Sequence, residues 1–477
     1  MTTVAPQPLG GGVDDLANRC AEALGRLERS VRGTVSATSS SRSKFSRDAG
    51  RIVQKTPAIV VHSTCEDDVA ATLAVARAHG IPVAVRGNGH SVNGGVLCDG
   101  GIVLAPGAEL RPIARQVGDG MFEISARARW LDVERELNRS GWTVPVHADY
   151  LGLSVGGTLS VGCYGERSIT SGGQIDHVRK IRLVLADGSA RWCSPESSGD
   201  LFRFSLAGLG MVGVIERVVI QAEPRRRAAS IDTYKHASLG ELIDAIEWMD
   251  EDRQVWPDTF MGTRFQVLAG KKWDIRWTVG ALSSNRRAAK NAPPPRLNNN
   301  TPDGRELYRS YFENRSLHVG LWSSLTFNQS RVWTDYVLDF DGARQLTALI
   351  ERQYRDGAYD GCATSTYVVG IRRPRNALDL PLAPANQTDG STRVGIGVFS
   401  FVPRGDGTRL ARARANAAEC LQACVNLGGR PYLYGWHELD QSQTRCVYGE
   451  SLNRLQQLRS EFDPAGLLNA GRIPGIK

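Results

Sequence analysis

The stretch Val85-Arg86-Gly87-Asn88-Gly89-His90-Ser91-Val92-Asn93-Gly94-Gly95 follows the apolar run Ile81-Pro82-Val83-Ala84-Val85 and sets four glycines around one histidine. Glycine at this density lets backbone N–H groups approach a diphosphate closely, because no Cβ intervenes. The spacing departs from the dinucleotide fingerprint, since Val92 stands where a third glycine is needed. No Gly-Lys-Ser/Thr follows, so a strand-to-helix P-loop is excluded as well. Spacing alone leaves two readings: a glycine turn with a hydrogen-bonded histidine, or a cofactor loop.

About sixty residues further on the chain reads His147-Ala148-Asp149-Tyr150-Leu151-Gly152-Leu153-Ser154-Val155-Gly156-Gly157-Thr158-Leu159-Ser160-Val161-Gly162. Two glycine-rich loops, each with small hydroxylated residues, suit a long diphosphate-containing cofactor clasped from two sides. Together the loops resemble the cytokinin dehydrogenase branch of the vanillyl-alcohol-oxidase/berberine-bridge flavoproteins, with their PCMH-type FAD-binding domain. The resemblance extends to Pro57–Val61 with Asp67-Asp68-Val69, to Glu123–Val133, and to Asp200-Leu201-Phe202 with Gly208–Ile215. It closes on Phe462-Asp463-Pro464-Ala465-Gly466-Leu467-Leu468-Asn469-Ala470-Gly471. It covers residues near 50 to 222 and 430 to 475.

The resemblance implies an α+β fold in two domains. Residues 46–222 and 431–477 would form a discontinuous FAD-binding domain. Residues 223–430 would be an inserted α+β substrate domain, an antiparallel sheet covered by helices. A length of 477 residues suits two cores. Residues 1–45, with an amphipathic helix over Leu16–Leu27 and the serine-rich Ser36–Ser43, read as a flexible lead-in. Helices are expected over Asp67–His79, Leu239–Asp250, Ala343–Arg355 and Tyr448–Glu461. Strands are expected over Ile181–Leu185, Lys272–Val279 and Val394–Val402. Pro293–Pro295 and Asn298–Asn300 mark a surface loop.

The resemblance also implies chemistry. His90 would bond through an imidazole nitrogen to the flavin's 8-methyl carbon, as the single covalent link. Many berberine-bridge relatives add a second link from a cysteine, and here that position is Tyr150. Cys163, beyond the glycines, is not expected to replace it. Asp149 would accept the proton from substrate nitrogen or oxygen while hydride leaves the attached carbon. The rival role for Asp149 is a cap on its loop. His147 reads as a solvated histidine or a proton partner. Arg86, Gly87, Asn88, Gly89, Ser91, Gly94 and Gly95 in the first loop would contact cofactor. So would Tyr150, Ser154, Gly156, Gly157, Ser160 and Tyr164 in or after the second. Gly213, Ile215, Asn469 and Arg472 complete that set. Tyr432 would lie against both flavin and substrate, and Arg472 puts a charge where the relatives usually carry glutamine. Trp256, Trp273, Trp277, Trp322 and Trp333 are candidates for an apolar pocket.

The implied activity is two-electron oxidation of a CH–NH or CH–OH unit in a small, largely planar molecule, with O2 or another small oxidant taking the electrons. A tailoring oxidase of specialised metabolism is the rival enzyme; a flavin carrier without turnover is the rival from another class. A net charge of +8 reads as solvated and cofactor-facing arginines, since no basic run is interleaved with aromatics as a nucleic-acid surface would require. No run is long enough to span a membrane. Met1–Asp15 lacks the basic start and apolar core of a secretory signal. With nine scattered cysteines this points to a reducing cytoplasm, no metal site, and a monomer or homodimer.

Overall fold

The computed structural model describes residues 13–226, 228–251, 258–267, 270–283, 300–307 and 328–476. The runs Ile59-Val60-Val61 and Ile102-Val103-Leu104 have no polar face, the pattern of strands covered on both sides. Strand Ile59–Ser63 pairs in parallel with Ile102–Pro106, which pairs in parallel with Val83–Val85. Between them the helix Glu66–His79 opens on three acidic residues and stops at Gly80, whose φ of 61° suits a left-handed cap.

The N-terminal segment departs from the expected flexible lead-in. Helix Val13–Ser30 buries Ala23 and Leu27 completely. Thr34–Ser36 adds an antiparallel strand to Ile59–Ser63. Asp68 anchors the turn between them by accepting the Arg32 N–H at 2.7 Å and the Gly33 N–H at 3.1 Å. The serines then form a helix, Ser39–Lys44, capped by Thr38. Serine-rich composition signals mobility only where no buried acceptor fixes the backbone.

A five-stranded antiparallel sheet follows, in the order Ala114–Gly118, Met121–Ser125, Val214–Gln221, Val178–Val184, Ala190–Cys193. Among the described residues the largest sheet has eight strands, also antiparallel. Three adjacent members are Ala363–Arg372, Thr392–Pro403 and Gln329–Leu338. Helices Leu239–Glu251, Phe340–Arg355 and Gly407–Asn426 cover one face, where Ile246, Ile350 and Leu421 meet Tyr336, Val368 and Ile396. Alternation sends the opposite residues of each strand to the other face.

The chain end returns to the first sheet. Val83 donates to the Leu467 carbonyl and Asn469 donates back to that of Val83. The expected last helix is Glu450–Phe462, and Gly449, with φ 49°, separates it from a preceding helix, Gln441–Tyr448. Trp256, Trp322 and the Pro293–Pro295 loop lie outside the described residues. Trp273 and Trp277 fall within strand Gly270–Ser283.

Candidate active site

The first parallel sheet, the five-stranded sheet and the uncovered face of the eight-stranded sheet enclose a cavity of about 600 Å³. Both glycine loops reach it. Residues 86–91 form one wall, with Asp149, Tyr150, Ser154, Gly156, Gly157, Ser160 and Tyr164 on another. Gly213, Ile215, Tyr432, Asn469 and Arg472 line it too. Gly94 and Gly95 stand behind the loop: Gly94 donates to Asp48 at 2.6 Å, and Gly95 lies against the Arg472 guanidinium.

The loops touch where glycine is required. A Cβ on Gly87 would fall 2.2 Å from Ser154 Oγ, and one on Gly157 2.8 Å from the same oxygen. Among the described residues, the successive N–H groups of Gly87, Asn88, Gly89, His90 and Ser91 donate to no protein acceptor. Such a run of free donors beside a cavity forms an anion nest. Arg86, tied to the Arg47 carbonyl at 2.9 Å, and Arg472, bonded to Asn469 Oδ1 at 3.0 Å, add positive charge. Burial lowers Arg472 to about 10, so it remains a cation at neutral pH. These features fit a flavin dinucleotide: donors for its diphosphate and a long cavity for its ring system.

His90 lies between Tyr150 and Trp333, at ring distances of 5.2 and 5.6 Å. Burial first, and the Arg331 cation second, push its imidazole down to about 4. At neutral pH the ring is therefore uncharged, and no described residue hydrogen-bonds it. The hydrogen-bonded-turn reading of this histidine is not met. Cys163 also reaches the cavity, but burial pushes its thiol up to about 12, which suppresses the nucleophilic thiolate. His147 is buried rather than solvated: its Nε2 sits 3.3 Å from Glu134 Oε2, behind the Asp149 loop.

Of the sheet-side wall, sequence reading named Trp333 and missed the rest. Trp333, Tyr367, Phe399 and Tyr434 line the cavity, while Asp335 lies just beneath them, fully buried. Arg127 and Glu216 line the cavity as well; Arg127 is shared by Glu109 and Glu216. The available signal was the strand Arg393-Val394-Gly395-Ile396-Gly397-Val398-Phe399, whose glycines fall on one face of an otherwise bulky strand. Among the described residues no group of three His, Cys, Asp or Glu side chains is arranged to hold a metal.

A nest of free donors, an uncharged histidine and an enclosed aromatic cavity together define an FAD-dependent oxidoreductase. Residues 57–194 match the family model described as an FAD binding domain. Cytokinin dehydrogenase 6 of Oryza sativa subsp. japonica is 31% identical over 90% of this chain and 89% of its own length. The chain belongs to the cytokinin dehydrogenase-like family of PCMH-type FAD-binding oxidoreductases. An uncharacterised oxidoreductase from the fasciation locus of Rhodococcoides fascians is 35% identical over 41% of this chain, and the match spans 44% of that relative. Cytokinin dehydrogenase 10 of the same rice is 36% identical over 38% of this chain, spanning 34% of its own length.

Proposed function

We propose that FAD is bonded through its 8-methyl carbon to His90 and that the enzyme oxidises a CH–NH unit of a small, largely planar molecule, as in an N6-isoprenoid adenine. The observation that carries this reading is an unprotonated imidazole, hydrogen-bonded by no described residue, that lines the same cavity as Asp149. Bound FAD supplies a two-electron acceptor. Asp149, half-buried at the head of the second loop, receives the proton that leaves nitrogen as hydride leaves carbon. Water then splits the imine to an amine and an aldehyde. Tyr432, tilted against Tyr164 at 4.9 Å, holds the planar substrate, and Arg472 faces the cofactor with fixed positive charge.

Residues 46–222 and 431–477 serve as the cofactor unit, with 223–430 as the inserted substrate unit. The aromatic roof given by Trp333, Tyr367 and Phe399 supports that division. Nine free thiols support a reducing compartment. Two measurements test the reading. Acid-denatured protein should retain its flavin. Anaerobic mixing with N6-isopentenyladenine should bleach the flavin and release adenine. Extractable flavin removes the tether, and an unbleached enzyme removes the amine substrate.

A further inference from the structure

Ile215 and Glu216 both line the cavity, although successive residues of a strand point to opposite faces. The exception has a local cause. In the strand Val214–Gln221, Ile215 stands opposite Leu183 and Arg217 opposite the adjacent Arg182, so Glu216 is the extra residue of a β-bulge. A bulge re-aims one side chain out of the sheet's alternation. Here it turns Glu216, only 3% exposed, toward the cavity.

Arg127 Nη1 holds Glu216 Oε2, while Arg127 Nη2 donates to Glu109 Oε1 at 2.9 Å and to the Thr64 carbonyl at 3.2 Å. Among the described residues nothing donates to Glu216 Oε1, and that oxygen keeps surface on the cavity. A buried carboxylate with one oxygen locked and the other open is built to accept from a ligand.

Its place along the cavity identifies the donor. Gly156, in the second loop, donates to the Ala126 carbonyl at 2.7 Å, and Ala126 to that of Glu216 at 3.0 Å. The carboxylate thus adjoins the loops that cradle the diphosphate. The parallel strands Ile59–Ser63 and Ile102–Pro106 end at the same cavity, with Ser63, Ala105 and Pro106 in its wall. Crevices beyond the carboxyl ends of parallel strands take nucleotides, and an acidic side chain can there accept a ribose hydroxyl. We infer that Glu216 accepts a hydroxyl of the adenosine ribose of FAD, so that the bulge selects the nucleoside half of the cofactor. Adenine itself fits less well, since its amino edge is read by an acceptor beside a donor. Both Arg127 Nη atoms are already engaged. The assignment depends on FAD binding alone and stands whether or not His90 carries the tether.

Burial raises Glu216 to about 7. Arg127 and Arg217 oppose that rise, whereas Glu109 and Glu66 add to it. The test therefore runs at about pH 8.5, where the carboxyl is ionised. It uses full-length His90→Ala protein, freed of flavin, with FAD binding read from flavin fluorescence and nucleotides as competitors. Against ADP, at least one of 2′-deoxy-ADP and 3′-deoxy-ADP should bind about 10–100-fold more weakly, the weight of a hydrogen bond to a charged group. Adding Glu216→Ala should weaken FAD by a similar factor, erase the preference for ADP over its deoxy forms, and leave FMN, which has no adenosine, unchanged. FAD release from loaded protein on dilution needs no flavin-free stage and should quicken by the same factor. Equal affinity for ADP and both deoxy forms in protein that keeps Glu216 overturns the inference without any substitution at the bulge. So does a loss of FMN and FAD affinity alike in Glu216→Ala, which would make the residue a packing element. Inosine diphosphate that binds more weakly than ADP only while Glu216 is present would give the carboxylate to the adenine amino group, and overturn the ribose.

Discussion

Burial and the Arg331 cation hold the His90 imidazole near 4, so its reactive, neutral form prevails throughout the physiological range. Attachment of FAD to apoprotein should therefore be independent of pH above about 5 and fall about tenfold per pH unit below 4. Acid-precipitated flavin fluorescence over time reads this directly, and His90→Ala should give none. Asp149→Asn should reduce flavin bleaching by N6-isopentenyladenine about 10²–10⁴-fold without altering the visible spectrum; a normal rate would leave Asp149 as a loop cap. Asp335 makes an opposite contribution to stability. Its folded pKa, near 7, exceeds the ordinary 3.8, so the folded state holds a proton that the unfolded chain releases between those values. Its contribution thus falls as pH rises from about 4 to 7 and changes little above. Thermal melts across that range should show a shallower decline in Asp335→Asn. Of these residues, His90 and Asp149 were legible because both sit in loops with composition of their own. Asp335 and Tyr367 were not, because they become partners only through the register of three strands.

At the level of elements, the two glycine loops were readable as a pair, but the reason for each glycine emerges from what lies opposite. Gly87→Ala would press a methyl against Ser154 Oγ, at 2.2 Å. Overpacking of this kind costs about 1–3 kcal/mol, on the order of tenfold in FAD affinity. Measured in a His90→Ala background, where binding is reversible, FAD titration should show that loss; unchanged affinity would mean that the loops separate freely. The closing segment has its own anchor. Asp463 accepts the Leu467 and Leu468 N–H groups at 3.1 and 2.9 Å and stands 3.4 Å from the buried Arg459 guanidinium. Asp463→Ala leaves that cation without its carboxylate, a change worth about 3–5 kcal/mol, and should lower the melting temperature accordingly. Helix and strand periodicity located Glu66–His79 and Thr392–Pro403 closely. It located Glu450–Phe462 too, and missed the separate helix Gln441–Tyr448 that ends at Gly449. It failed in the N-terminal serines, which form the helix Ser39–Lys44 capped by Thr38.

Across the whole molecule, the cavity is a junction rather than a property of any one sheet. The first glycine loop hangs from the parallel sheet, the five-stranded sheet supplies Ile215 and Glu216, and the large sheet closes the roof. Residues 83 and 469, at opposite ends of the chain, are hydrogen-bonded beside it. A ligand spanning such a junction stabilises every element it touches, and linkage sets the amount. For reversible binding, about 2.7 kcal/mol is gained at a ligand concentration one hundred times Kd. His90→Ala protein should therefore melt at a temperature that climbs steadily with added FAD. Fully loaded wild type should be indifferent to added FAD if the proposed tether makes its cofactor part of the chain. Differential scanning calorimetry over a range of FAD concentrations separates these cases. A wild-type melting temperature that tracks FAD as the variant's does would show that the flavin is held by the loops alone.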